Sequence, residues 1–341
     1  MKSLLELRNL FQTNGIPSYR ANQVYNAVYK EGKNSYKEMT VLPLNIRAEI
    51  ENNSPLFSLK VIDTAASKNN DTKKILFELI DGNKIESVLM RFLDGRNTVC
   101  VSCQVGCPMK CAFCATGKSG FKRNLSYEEI TDQALYFQQE LIKEGPRIDH
   151  IVFMGMGEPM LNYDEILKAI KVFNDPVAFN IGLRHLTVST SGIIPGIKKL
   201  TEDAPQVNLA ISLHAPNDKL RQKLMPVAKS YPLDELMKAC KEYTEKTHRR
   251  ITYEYVMLNK INDSDEIAGE LANLLRGQLC HVNLIPFNET NIKGMKTSIK
   301  VRIDSFAKIL EINNIPVTVR VSLGKEIHAA CGQLAGKRKA K

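Results

Sequence analysis

Cys107-Pro108-Met109-Lys110-Cys111-Ala112-Phe113-Cys114 places three cysteines within eight residues, in the spacing C-x3-C-x2-C. A structural zinc site closes with four ligands and usually pairs two C-x2-C knuckles at a distance. Three thiolates on one short loop suit three corners of a 4Fe-4S cubane, with the fourth iron left open for a substrate or cofactor. Two blander readings stand beside this one. The cysteines are unrelated packing residues, or they form a redox C-x2-C to which the third adds nothing.

Composition sets the context. The 341-residue chain has room for one large domain with an appendage, or for two domains, and 43% of it is hydrophobic. No stretch reaches the roughly 18 consecutive apolar residues of a membrane span. The N-terminal run Met1-Lys2-Ser3-Leu4-Leu5-Glu6-Leu7-Arg8 lacks the apolar core of a signal peptide. A cytoplasmic protein is expected, with its eight cysteines mostly reduced and their clustering pointing to metal or catalysis rather than a disulfide scaffold. A formal charge of +10 suits a polyanionic partner, although many cytosolic proteins are as basic. The final Gly336-Lys337-Arg338-Lys339-Ala340-Lys341 reads as a basic tail over 336–341.

Residues 1–55 read as helices. Val24, Ala27, Val28 and nearby tyrosines recur at helical spacing, and the tyrosines suit core packing, with base stacking the alternative. Pro43 punctuates a loop before a helix from Leu44 to Glu51. Over 56–97 the pattern turns to strands at Phe57–Val61, Lys74–Leu79 and Ile85–Met90, with Asp81-Gly82-Asn83 as the turn of a hairpin extension. From 98 to 335 strands and helices alternate. The strands are Val99–Ser102, His150–Met154, Leu186–Ser189, Val207–Ser212, Ile251–Met257, His281–Ile285 and Val317–Val321. Such alternation predicts an α/β fold with a parallel sheet and helices outside it. Six or seven units fall short of a closed eight-unit barrel, so a partial, open (β/α)6 TIM-like barrel is expected.

Polar residues at the C-terminal ends of such strands carry function. The second strand runs into Gly155-Met156-Gly157-Glu158-Pro159, where glycines let backbone approach a ligand and Glu158 can accept from an ammonium. The third ends in Ser189-Thr190-Ser191-Gly192, the fourth in Ser212-Leu213-His214-Ala215-Pro216, the sixth in Pro286-Phe287-Asn288. Each motif alone is commonly structural, but four at equivalent ends downstream of the cysteine triplet point to a ligand site. Cys240 and Cys280 read as small buried hydrophobes.

The triplet with Phe113 before its last cysteine resembles the radical S-adenosylmethionine (SAM) enzymes. Cys100 to Gly117, Gly155 to Asn162, Ser212 to Pro216 and Ala329-Ala330-Cys331-Gly332-Gln333-Leu334 together resemble the RlmN/Cfr family of RNA adenine methyltransferases. The likeness extends over nearly the whole chain, including the Tyr19-Arg20-Ala21-Asn22-Gln23 helix. It implies a radical SAM partial barrel with an N-terminal helical accessory domain that contacts RNA. It also implies a cluster on Cys107, Cys111 and Cys114, and SAM contacts at Gly157, Glu158, Ser189, Ser212, Leu213, His214 and Asn288.

The activity so implied is methylation of carbon 2 of adenine-2503 in 23S rRNA and of adenine-37 in some tRNAs. The family's other branch, associated with ribosomal antibiotic resistance, methylates carbon 8. Gly157–Asn162, Ser189–Gly192 and Ala330 resemble the carbon-2 branch more closely. In the family mechanism two SAM molecules are used per turnover. The first methylates the residue matching Cys331. The second, bound to the open iron, is cleaved to a radical that takes hydrogen from the S-methyl group, and the carbon radical then adds to adenine. Glu86 matches a glutamate given the role of proton acceptor; a solvated strand carboxylate is the alternative. The thiol matching Cys100 then forms a disulfide with Cys331 and releases the product. An external electron donor and a thiol reductant complete the cycle. A monomer is expected, without membrane attachment.

Two positions depart from the family pattern. Gly324-Lys325-Glu326-Ile327 carries Glu where relatives usually have Asp, and Cys103 stands where many have Ser or Thr. Cys103 is either a spare small residue or a competing disulfide partner. A non-catalytic RNA-binding relative is a further reading, against which stands the presence of all five family cysteines.

Overall fold

Helix α1 (Leu4–Thr13) starts in a capping box, in which the Glu6 amide donates to the Ser3 hydroxyl and the Glu6 carboxylate accepts the Ser3 amide. Helices α2 (Tyr19–Tyr29) and α3 (Leu44–Asn53) follow. This computed structural model describes residues 1–53, 55–288, 290, 292 and 294–336, so the basic tail beyond Gly336 lies outside the described residues. Helix α2 buries Val24, Tyr25, Val28 and Tyr29. Tyr29 packs edge-on against Phe179, 5.1 Å between centroids, and the Tyr25 hydroxyl donates to Lys2 O at 2.8 Å. Two tyrosines of this helix are therefore core residues, while Tyr19 is exposed. The same apolar core runs on through the helices and strands of the larger unit.

Strands β1 (Leu59–Ala66), β2 (Thr72–Leu79) and β3 (Lys84–Arg91) pair antiparallel in sequence order. The Asp81-Gly82-Asn83 turn joins β2 to β3, with Gly82 at φ 75° and Leu79 N donating to Asn83 O. Strand β4 (Asn97–Cys100) is the pivot of the sheet, antiparallel to β3 and parallel to β7 (His150–Phe153). The expected hairpin is thus a three-stranded meander that continues the main sheet. Its outer strand runs Leu59–Ala66 rather than Phe57–Val61. Lys60, Asp63 and Thr64 on this half-exposed edge, and an irregularity between Val61 and Asp63, blur the apolar alternation there.

Between β4 and β7 lie β5 (Gln104–Gly106), α4 (Ala115–Lys118), β6 (Phe121–Asn124) and α5 (Tyr127–Glu144). Then come α6 (Tyr163–Asn174), β8 (Leu186–Thr190), α7 (Ile194–Asp203), β9 (Asn208–Ser212), α8 (Asp218–Leu224) and α9 (Leu233–Thr247). The chain continues with β10 (Ile251–Met257), α10 (Asp265–Leu275), β11 (Cys280–Pro286), α11 (Lys300–Ile312) and β12 (Val317–Val319). The sheet order is β1-β2-β3-β4-β7-β8-β9-β10-β11-β12, and every pair from β4 to β12 is parallel. Six strand-then-helix units followed by a lone edge strand make the partial barrel, which stays open because β1 and β12 end the order. Among the described residues no helix is long and apolar enough to cross a membrane.

Candidate active site

A cavity of about 860 Å³ opens at the C-terminal ends of the parallel strands. It is within the range of small-molecule sites, and all three cysteines of the triplet line it. The loop that carries them leaves β5 and returns along β6, a two-stranded hairpin. Gly106 is obligatory at its base, since its φ is 75° and an added Cβ would lie 1.7 Å from Gly120 O. Lys110, immediately before Cys111, also adopts positive φ, which turns the loop back on itself. Ala112 N donates to Leu224 O at 2.8 Å, and Cys111 and Phe113 pack on the small apolar cluster of Ala215, Leu224, Met225, Val256, Leu258 and Phe287. Burial pushes the Cys107 thiol up to about 12 and Cys111 well above its usual range, and neighbouring thiols add to both. Among the described residues no three His, Cys, Asp or Glu side chains converge on a single-ion position. The three cysteines share this one cavity.

The strand ends supply the other walls. Glu158 is buried beside the cavity. Its Oε2 accepts from Ser191 N and Oγ, both at 2.7 Å, and its Oε1 from Met160 N at 3.1 Å. Burial raises its carboxyl above the usual range, and these bonds oppose the rise. Gly157 has φ 115°, and a Cβ there would meet Cys103 Sγ at 2.7 Å and Gln104 N at 2.8 Å. The close approach that demands glycine is thus to the chain after β4, while the residue also lines the cavity. Ser189, Ser212 and Asn288 line it as well. His214 sits at φ 60° with its Nδ1 accepting the Val256 amide at 3.0 Å and its ring edge-on to Phe113, 4.7 Å between centroids. Burial, with Arg221 adding, holds its imidazole down to about 3. It is therefore neutral, with its remaining proton on Nε2. Leu213 is fully buried in the core and does not line the cavity.

Cys100, at the end of β4, and Cys331, on the C-terminal segment, face this same cavity. Cys331 is exposed and Cys100 buried. Burial pushes the Cys100 thiol up to about 12, Cys331 adds to the rise, and Arg320 opposes it. The Cys331 segment is stitched to the cluster loop. Ala115 N donates to Gly332 O at 2.8 Å, Thr116 Oγ1 to Leu334 O at 2.6 Å, and Asn288 Nδ2 to Cys331 O at 3.2 Å. Cys103 does not line the cavity: it lies buried behind Gly157, and burial drives its thiol well above the usual range. Glu86 is likewise outside the lining. Its Oε1 pairs with Lys74 Nζ at 2.7 Å and its Oε2 accepts the Ala335 and Gly336 amides at 2.7 and 2.9 Å.

Three polar side chains at the site escape a reading of the sequence. Arg221, fully buried, donates to Ser191 O at 2.7 Å and Leu213 O at 3.3 Å, tying the ends of β8 and β9 together. Arg320 follows β12. Cys331 raises its guanidinium pKa most, with Glu254 and Cys100 adding. Glu254 on β10 lines the cavity, and its Oε2 is buried without a hydrogen-bond partner, as is Asn288 Oδ1. The signal for Glu254 is the one charged residue within a strand of mostly apolar and aromatic residues; the two arginines carry none.

The strand order, the three-cysteine loop and the polar strand ends define a radical SAM protein. The family model described as "Radical SAM superfamily" matches residues 101–271. A probable dual-specificity RNA methyltransferase RlmN of Symbiobacterium thermophilum is 46% identical over 99% of this chain and 91% of its own length. One of the same description from Clostridium tetani is 46% identical over 97% and 94%. The crystal structure of a radical SAM methyltransferase from Sphaerobacter thermophilus superposes with a TM-score of 0.96 at 44% identity, covering 98% of both chains. The chain belongs to the RlmN family.

Radical SAM membership implies a 4Fe-4S cluster and SAM, and the residues present fit both. Three soft sulfur donors on one loop suit iron. The unpartnered Glu254 Oε2 and Asn288 Oδ1, with the buried Glu158 carboxylate, suit a ligand rich in donors and positive charge. Glu158→Gln and Ser189→Ala should each weaken SAM binding while leaving the cluster in place. Loss of a charge-assisted contact at Glu158 is worth about 1.5–3 kcal/mol, or roughly ten- to a hundredfold in affinity. Glu158→Ala would also strand the Ser191 and Met160 amides, so glutamine is the cleaner change. Equilibrium binding of SAM to the reconstituted variants measures this, and unchanged affinity in both would place the cofactor elsewhere.

Proposed function

We propose that this protein methylates carbon 2 of adenine-2503 in 23S rRNA, and of adenine-37 in some tRNAs, by way of a methyl group carried on Cys331. The observation that carries the reading is the convergence of Cys331, Cys100 and the cysteine triplet on one cavity. A methyl carrier must reach both its methyl source and its target, and exposed Cys331 at the cavity's edge is suited to both. When bound, the cluster supplies the electron that opens SAM for hydrogen abstraction. The chain does the rest. Cys107, Cys111 and Cys114 hold the cluster. Glu158, Ser189, Ser212, His214 and Asn288 present charge and hydrogen-bonding groups to SAM, and the Gly157 backbone lies alongside. Leu213 contributes through backbone, since its side chain is in the core.

Cys331 Sγ takes a methyl group from a first SAM and loses its proton. After one hydrogen atom is removed from that methyl by way of a second SAM, its carbon bonds to the adenine ring. The adduct must then give up one electron, returned to the cluster, and the ring hydrogen as a proton to a base. The Cys100 thiolate then attacks Cys331 Sγ. The S–S bond forms, and the Cys331 S–C bond breaks with its electron pair on the carbon. The carbon takes up a proton to become the methyl group, and the methylated base leaves. An external thiol returns two electrons to the disulfide, and a separate donor serves the cluster. Arg320 opposes the rise that burial imposes on the Cys100 thiol, and so favours the attacking thiolate. Glu86 would have to leave Lys74 and two backbone amides before it could take the ring proton. The protein would work as a cytoplasmic monomer.

Mass spectrometry of nuclease-digested rRNA and tRNA after anaerobic incubation with the reconstituted enzyme tests the reading. 2-Methyladenosine is expected, and none with Cys331→Ala. 8-Methyladenosine as the sole product would move the protein to the other branch.

A further inference from the structure

Cys331 sits along a segment held from both ends by one pair of side chains. Before it, Lys74 Nζ donates to His328 O at 3.1 Å. After it, Glu86 Oε2 accepts the amides of Ala335 and Gly336. The two side chains pair with each other at 2.7 Å, with exposures of only 12% and 3%. Glu86 lies opposite Leu76 across β2 and β3, which makes Lys74 its diagonal neighbour on the same face. A buried ion pair recovers its desolvation cost only when further hydrogen bonds satisfy both partners. Here the backbone of the 328–336 segment supplies those bonds. From the opposite side the cluster loop holds Gly332 O and Leu334 O.

We propose that Lys74 and Glu86 form a bracket that sets Cys331 over the cavity, so that both are positioning residues for methyl transfer and Glu86 acts on the segment rather than on RNA. The proposal rests on Cys331 being the methyl carrier. A loosened bracket leaves cluster and SAM chemistry intact but lets the S-methyl group wander, so SAM is cleaved without delivery to the base.

The test uses the reconstituted full-length protein as Lys74→Met, Lys74→Arg, Glu86→Ala and Glu86→Gln. Hydrogen exchange of the peptide over 328–336 is read beside the 5′-deoxyadenosine released per methyl delivered to RNA. In Lys74→Met and Glu86→Ala the Ala335 and Gly336 amides should exchange about tenfold faster or more, as expected of local opening. The deoxyadenosine-to-methyl ratio should rise with it. Lys74→Arg should restore both, and Glu86→Gln, which keeps an acceptor oxygen for the amides, should hold most of the protection and coupling. A base acting on RNA gives a different pattern. Glu86→Gln would lose methylation as fully as Glu86→Ala, exchange would not change, and Lys74→Met would stay active; that pattern overturns the bracket. Absence of a methyl group on Cys331 of the unaltered protein would sink the carrier reading instead. The exchange result does not depend on that reading, so the two failures are told apart.

Discussion

Cys100→Ala, incubated with SAM and RNA and then purified in high salt, is expected to carry RNA bonded to Cys331 through one carbon. The variant keeps every group needed to load Cys331 and to attack the base, and lacks only the thiol that breaks the link. Product should stop at no more than one methyl per enzyme. Cys103 is the nearest substitute by sequence, but it is walled off behind Gly157 and does not open onto the cavity. Cys331→Ala should fail earlier and form no adduct. An electrostatic complex would dissociate as salt rises, so a salt-resistant, nuclease-sensitive mass increase identifies the covalent species. In the unaltered enzyme, release should quicken as pH rises. Burial holds the Cys100 thiol up to about 12, and the attacking species is the thiolate. Normal turnover of Cys100→Ala with no trapped RNA would remove Cys100 from the mechanism.

Replacement of Cys107, Cys111 and Cys114 by alanine should abolish bound iron, inorganic sulfide and SAM cleavage together. Among the described residues no other set of sulfur donors is grouped on one loop lining the cavity, and metal affinity here depends on thiolates. The unaltered protein should gain a brown chromophore with about four irons per chain after anaerobic reconstitution, the content of one cubane. Tight stoichiometric zinc with no chromophore would refute the cluster. The effect reaches past the metal, because the loop also holds Gly332 O and Leu334 O. Exchange protection around Cys331 should fall in the triple variant.

The features of this molecule that depend on neighbouring residues are legible in the linear chain. The triplet is one, since its spacing points to a cluster and its resemblance to the radical SAM enzymes supplies the rest. The barrel strands are another, since they are short apolar runs between helical patterns. What the linear chain hides depends on partners far apart in it. In sequence Glu158 is free to receive an ammonium, yet in the fold both its oxygens already hold amides or a hydroxyl from Met160 and Ser191. Gly157 suggests room for a ligand, and its tightest neighbour is Cys103. Leu213 follows Ser212 in sequence, but alternation along the strand turns it into the core. Arg221 is an ordinary helix residue until α8 folds over the ends of β8 and β9. Glu86 shows the limit of resemblance: a motif match singles it out, and only the fold reveals what its oxygens touch.

The bond from Thr116 Oγ1 to Leu334 O joins residues 218 apart. Such non-local contacts form late, after the intervening chain has been ordered. During translation the helices, the meander and the first barrel strands can emerge and begin to fold while the segment that finishes the cluster loop is still inside the ribosome. The nascent protein thus carries its three cysteines on an incompletely braced loop until the C-terminal segment emerges. Delivery of iron and sulfide is best matched to the finished polypeptide, and a chain truncated before Leu334 would present a loop open to oxidation or to the wrong metal.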